Sequence, residues 1–227
     1  MPVRRLAPLT AAALAAAYGL AFFYAPMDAD QGLVQKIFYL HVPLAIVALC
    51  GFMAGGVLGA MHLRTGERAW DLRSYVAIHV ALILAAATLV TGSIWARAAW
   101  GHWWVWDEPV LVSFFVIFLL YACYQPLRFA IDDPERQARF AAVFAVMAGA
   151  FVPLNFIAVR SAQAFTHPRV LSAGGGNMPG SMRLAFAACL AAIALLYVTL
   201  CRLELSAKRL RIAHRRARRA LALGAGG

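Results

Sequence analysis

The chain has 227 residues, 63% of them hydrophobic and 14% charged, with a net charge of +11 and a mean hydropathy of +0.72. A water-soluble protein carries about 25% charged residues, so the composition excludes an ordinary soluble globule and points to a polytopic membrane protein. In a soluble protein the basic excess would suggest nucleic acid; here its distribution along the chain decides its meaning.

Six segments reach the roughly 20 apolar residues that a helix needs to cross a bilayer: 6–25, 38–61, 74–95, 109–127, 139–159 and 183–201. The first follows Arg4 and Arg5 and is alanine-rich. A cleaved signal peptide is its competing reading, but its apolar run exceeds the ~7–15 residues of a signal core and it lacks a convincing cleavage site, so a retained helix is expected. The second opens on "FYLHVP", which places His41 near its start, and carries Gly51, Gly55 and Gly59 at four-residue intervals. That spacing is a small-residue face that lets helices approach closely. The third contains His79 and the polar Thr88, Thr91 and Ser93, positioned to hydrogen-bond across helices. The fourth begins at Pro109, a good first helical residue, so Asp107 or Glu108 can serve as its cap. Beyond the sixth, a basic tail over about 202–227 interleaves charged and apolar residues, as an interfacial helix does.

Basic residues sort by side. With the N-terminus inside, the inner segments hold Arg4, Arg5, Arg64, Arg68, Arg73, Arg128, Arg136 and Arg139, and the tail adds Arg202, Lys208, Arg209, Arg211, Arg215, Arg216, Arg218 and Arg219. The outer side holds Lys36, Arg97, Arg160, Arg169 and Arg183. The excess of inner charge places both termini in the cytoplasm; it orients the chain and meets anionic lipid, with no need of nucleic acid. The whole of 1–227 reads as one integral-membrane domain. Cys50, Cys123, Cys189 and Cys201 fall in or at the end of spans, with no zinc-type spacing, and read as packing residues.

This topology puts the first, third and fifth connections on one outer face. The third, about 96–108, contains "WGHWWVWDEP", with Trp100, Trp103, Trp104 and Trp106 in seven positions. The first leads to His41, and the fifth carries His167 ahead of a glycine-rich stretch. Two imidazoles make an incomplete zinc site but suffice as axial ligands of haem iron, and indoles suit the faces and edges of a broad apolar disc. Each feature also has a plainer reading: interfacial belt residues for the tryptophans, Trp70 and Trp95 above all, and helix packing for the histidines. His102 is a competing iron ligand or a propionate donor. His62 and His214 read as solvated or lipid-facing, and His79 as a packing residue.

The strings "WGHWWVWD", "VTGSIWA" and "FYLHVP" resemble the haem exporter protein C family, the haem-handling component of the cytochrome c maturation system, in the tryptophan-rich "WWD" superfamily. The resemblance covers nearly the whole chain. It implies an all-α protein of six membrane helices that is not an enzyme. The cofactor implied is haem b, held at the outer face of the bacterial inner membrane by His41 and His167 against Trp100, Gly101, Trp103, Trp104, Trp106 and Asp107. It implies presentation of haem to a periplasmic haem chaperone, beside the ATPase and permease subunits of an ABC transporter and a small single-helix subunit. Two departures stand out: Glu108-Pro109 replaces a basic residue common after the motif aspartate, and "RSAQAFTHP" carries only Phe165 as an aromatic before His167. A propionate or chaperone contact made by that basic residue would here be lost, or moved to Arg97 or Arg169. The rival classes are a cytochrome c synthetase, which would have more helices; a b-type membrane cytochrome, which would need two histidine pairs; and a pore-forming permease, which the scarcity of intramembrane charge disfavours.

Overall fold

The structure, a computed structural model, describes residues 3–161, 167 and 178–224. It is a bundle of long helices. Helix α1 (Val3–Gly19) runs on through a π-helical turn (Leu20–Tyr24), and a 3-10 turn (Leu33–Ile37) leads into α2 (Phe38–Thr65). Then follow α3 (Arg68–Trp100), α4 (Pro109–Ala122), α5 (Tyr124–Phe129), α6 (Pro134–Ser161) and α7 (Gly180–Gly224). Helices α4 and α5 are two halves of one span, parted at Cys123. Among the described residues, six helical segments are long and apolar enough to cross a membrane, and they coincide with the six expected spans.

Helix α2 is the centre of the bundle, packed against α3, α6 and α7. Its glycines explain how. A Cβ added at Gly55 would run into Ile78 of α3, while one at Gly56 would lie 2.9 Å from the Ala145 carbonyl and 3.2 Å from Gly149 Cα of α6. The absence of side chains lets the three backbones close up, the expected use of the stripe, here extended to Gly56. Phe52 and Tyr121 stack at 3.8 Å with an interplanar angle of 8° and join α4 to the same core. Helix α1 lies against α7, tied by a 2.7 Å hydrogen bond between the Thr10 and Thr199 hydroxyls.

At the end of the bundle where α3 begins, Arg128 of α5 grips Asp71 of α3 through two bonds, Nη1–Oδ1 at 2.6 Å and Nη2–Oδ2 at 2.7 Å. Both side chains are buried. Next to them, His79 Nδ1 lies 2.8 Å from a Glu204 carboxylate oxygen of α7, and Lys208 Nζ 3.3 Å from the other. Charged residues inside a membrane bundle need partners, and these have them.

Several expectations change. Helix α3 extends well past 74–95 at both ends, because hydropathy marks only the apolar slab whereas the helix continues through polar turns to its caps. The basic tail is no separate helix: α7 is continuous from Gly180 to Gly224. His62, expected at the solvent or lipid surface, is buried, with Nδ1 2.9 Å from the Glu67 carbonyl. His79 does pack, stacking on Tyr75 at 6.0 Å, and is held by Glu204 as well.

Candidate functional site

Four helices and two connections enclose a cavity of about 270 Å³ at the end of the bundle where α3 finishes. Each helix contributes a stripe at helical spacing: His41, Ala45 and Leu49 on α2, and Gly92, Ala96 and Trp100 on α3. On α4 the stripe is Val110, Phe114 and Ile117; on α6 it is Val152, Phe156 and Arg160. Residues four apart share a helix face, so the apolar wall follows from the pattern of the four sequences. Trp104 and His167 enter from the third and fifth connections.

His41 is held in one orientation. Its Nδ1 lies 3.1 Å from the Thr88 carbonyl and 3.1 Å from Thr91 Oγ1. A carbonyl only accepts, so Nδ1 carries the proton and Nε2 is the unprotonated nitrogen, without a hydrogen-bond partner among the described residues. This is the arrangement a metal-ligating histidine needs, with its second nitrogen fixed by a backbone carbonyl. Gly92 makes the slot: a Cβ there would fall 2.7 Å from His41 Cε1 and 3.3 Å from Nδ1. Trp95 closes another side, its ring edge-on to the imidazole at 5.8 Å and 79°. The Trp95 indole N–H donates to Gln31 Oε1 at 2.8 Å, which couples the first connection to α3. Lys36, buried, donates to the carbonyls of Ala25 and Pro26 at 2.7 and 3.1 Å and ties that connection to itself.

His167 stands edge-on to Trp100 at 6.3 Å and 70°. Its backbone N–H donates to Glu108 Oε2 at 3.2 Å. Glu108 is fully buried. It occupies the N-cap position of α4, with Pro109 in the first turn, but its side chain does not cap the helix. The carboxylate holds the fifth connection against the third. Helix α3 ends at Gly101, whose φ of +79° is the left-handed conformation glycine adopts without strain. Arg97 Nη1 donates to the Gly101 carbonyl and closes that end.

Of the residues expected at the site, His41, His167, Trp100 and Trp104 line the cavity. Gly101, Trp103, Trp106 and Asp107 do not; all four are exposed beside it. Trp106 packs edge-on to Trp104 at 5.9 Å. His102 is exposed and away from the cavity, and Arg97 is engaged with Gly101. Arg169 and Phe165 lie outside the described residues. Trp95, expected as a belt residue, belongs to the cavity wall.

The donor set suits a haem. Among the described residues no group of three or more His, Cys, Asp or Glu could hold a bare metal ion, whereas two imidazoles and a wall of indoles and aliphatic side chains share one cavity. The buried Trp104 indole N–H has no acceptor among the described residues, leaving a donor for a bound molecule. Residues 2–222 match the sequence family described as Heme exporter protein C. The chain belongs to that family.

The heme exporter protein C of Paracoccus denitrificans is 34% identical over 60% of this chain and 56% of its own length. That of Bradyrhizobium diazoefficiens is 33% identical over 86% of this chain and 73% of its own. That of Escherichia coli K12 is 32% identical over 59% and 54%. For two of these three heme exporter C proteins the match spans just over half of the relative's length. Membership of the family does not itself select the residues of the site. Gly92, Thr91, Trp95, Glu108 and Arg160 do not stand out in the sequence as site residues. The signal for the first three is their helical spacing on α3 opposite His41.

Proposed function

We propose that this protein binds haem b non-covalently at the outer face of the bacterial inner membrane and presents it to a periplasmic haem chaperone for cytochrome c maturation. The observation that carries the reading is the convergence of His41 and His167 on one apolar cavity with Trp100 and Trp104, with His41 oriented so that Nε2 is its unprotonated nitrogen. His41 and His167 would hold the haem iron. Haem iron supplies the two coordination positions that neutral imidazole fills. The rest is the work of the chain: Thr88 and Thr91 orient the His41 ring, Gly92 gives it room, and Glu108 holds His167 in place. Trp100 and Trp104, in the cavity wall, would flank the macrocycle and exclude water from it. The exposed Gly101, Trp103, Trp106 and Asp107 form the rim that faces the chaperone.

The protein handles its cargo and is not itself an enzyme. It acts as one integral-membrane domain with both termini in the cytoplasm, a placement supported by the basic excess of α7 and the inner connections. Its partners are the ATPase and permease subunits of a haem ABC transporter and a small single-helix subunit, with anionic lipid around the basic tail. The test is the absorbance spectrum of the purified, haem-loaded protein. His41→Ala and His167→Ala should each abolish the low-spin bis-imidazole signature, and His102→Ala should leave it intact. If only His102→Ala alters the spectrum, the axial assignment is wrong.

A further inference from the structure

The lining of the cavity carries a charge pattern of its own. Apart from the two histidines, its single permanently charged side chain among the described residues is Arg160, and no carboxylate among them lines it. Arg160 sits in the last turn of α6 with its guanidinium over the Phe156 ring, 5.1 Å from the centroid. The two are one helical turn apart and both line the cavity. A guanidinium remains charged at any physiological pH and presents a planar fork of donors that matches a carboxylate. The buried Trp104 indole N–H, in the same wall, is a second donor awaiting an acceptor. Apolar walls with a fixed cation and a spare donor call for a ligand that is apolar over most of its surface and anionic at its edge.

We infer that Arg160 is the carboxylate-recognising residue of this cavity, so that the protein selects a tetrapyrrole with free carboxylates over an esterified one. The inference rests on the haem reading and deepens it. In this chain the position after Asp107 carries Glu108-Pro109, and Glu108 is turned inward to the His167 backbone. The cation in the lining comes instead from α6. Arg97 does not line the cavity. Arg160 is also exposed, which places it at the cavity's open edge, where a charge-assisted bond keeps about a fivefold effect after solvent screening.

The experiment titrates the purified full-length protein in detergent with haem and with haem dimethyl ester, followed by the Soret band and tryptophan quenching. Wild type should prefer the free acid. Arg160→Gln should lose about fivefold for haem and nothing for the ester, with the low-spin spectrum unchanged at saturation; Arg160→Lys, which keeps the charge but not the fork, should fall between. Equal weakening toward both compounds would make Arg160 merely structural and overturn the inference, as would an undiminished preference for the free acid in Arg160→Gln. In either case a wild-type spectrum that still depends on His41 keeps the haem reading standing. If wild type binds neither compound, or its spectrum ignores His41→Ala, the haem reading fails and this inference falls with it.

Discussion

Gly92→Ala adds one methyl group, and its effect can be worked out from the slot around His41. The new Cβ would lie 2.7 Å from His41 Cε1, about 1 Å inside the ~3.5–4.0 Å at which carbon atoms pack. Glycine and imidazole belong to two helices whose backbones are already in close contact, so the ring is the part that gives. A displacement of about 1 Å stretches the 3.1 Å bonds from Nδ1 to the Thr88 carbonyl and Thr91 Oγ1 beyond hydrogen-bonding range. Overpacking of this kind costs about 1–3 kcal/mol, and loss of the groups that orient a metal-bound histidine typically lowers affinity by about 10–100-fold. The assay is an absorbance titration with haem in detergent, with Gly180→Ala as the control, since a Cβ at Gly180 meets nothing within 4 Å. Gly92→Ala should bind at least about tenfold more weakly and lose low-spin character, while Gly180→Ala behaves as wild type. Wild-type affinity and spectrum in Gly92→Ala would refute the assignment of His41 as an oriented ligand.

Two further outcomes follow from the same geometry. Glu108→Ala removes the acceptor of the His167 N–H and should shift the haem spectrum toward that of His167→Ala, whereas Glu108→Gln, which keeps an acceptor oxygen, should retain most of the wild-type signature; resonance Raman spin-state markers read both. Asp71→Ala strands Arg128 in the bundle, at a cost of about 3–5 kcal/mol for a half-broken buried pair. That should appear as a large drop in thermal unfolding temperature in detergent, recovered in part by adding Arg128→Met.

The spans are legible in the sequence because the membrane imposes one condition on every residue of a crossing helix, and about 20 apolar residues in a row satisfy it. The helix ends are less legible. Caps such as Gly66 and Gly101 end α2 and α3 outside the apolar slab, where hydropathy is silent. The tail of α7 misleads because alternation of Arg with Leu and Ala fits an interfacial helix and a protruding one equally well. At the site, His41 and the tryptophan-rich segment stand out by residue type, which is how functional residues announce themselves. Gly92 and Thr91 do not, since a glycine that makes room and a threonine beside an imidazole look like ordinary packing residues until the facing helix is known. Glu108 reads as a helix cap because its neighbours, Asp107 and Pro109, make that local role natural. Its engagement with His167 reaches across 59 positions, invisible to any local pattern.

Helix α7 has a mechanical consequence. Its 45 residues make a rod of about 68 Å at ~1.5 Å per residue, more than twice the ~30 Å of a bilayer's hydrocarbon core. It has no proline along its length, the commonest cause of a sharp kink. One end begins at Gly180, where the connection bearing His167 rejoins the bundle, and the other is studded with arginine. Between them, Glu204 clasps His79 of α3 and Thr199 meets Thr10 of α1, so the rod is fastened to both helices. The rod is therefore anchored within the bundle while its length carries the arginines beyond the hydrocarbon core.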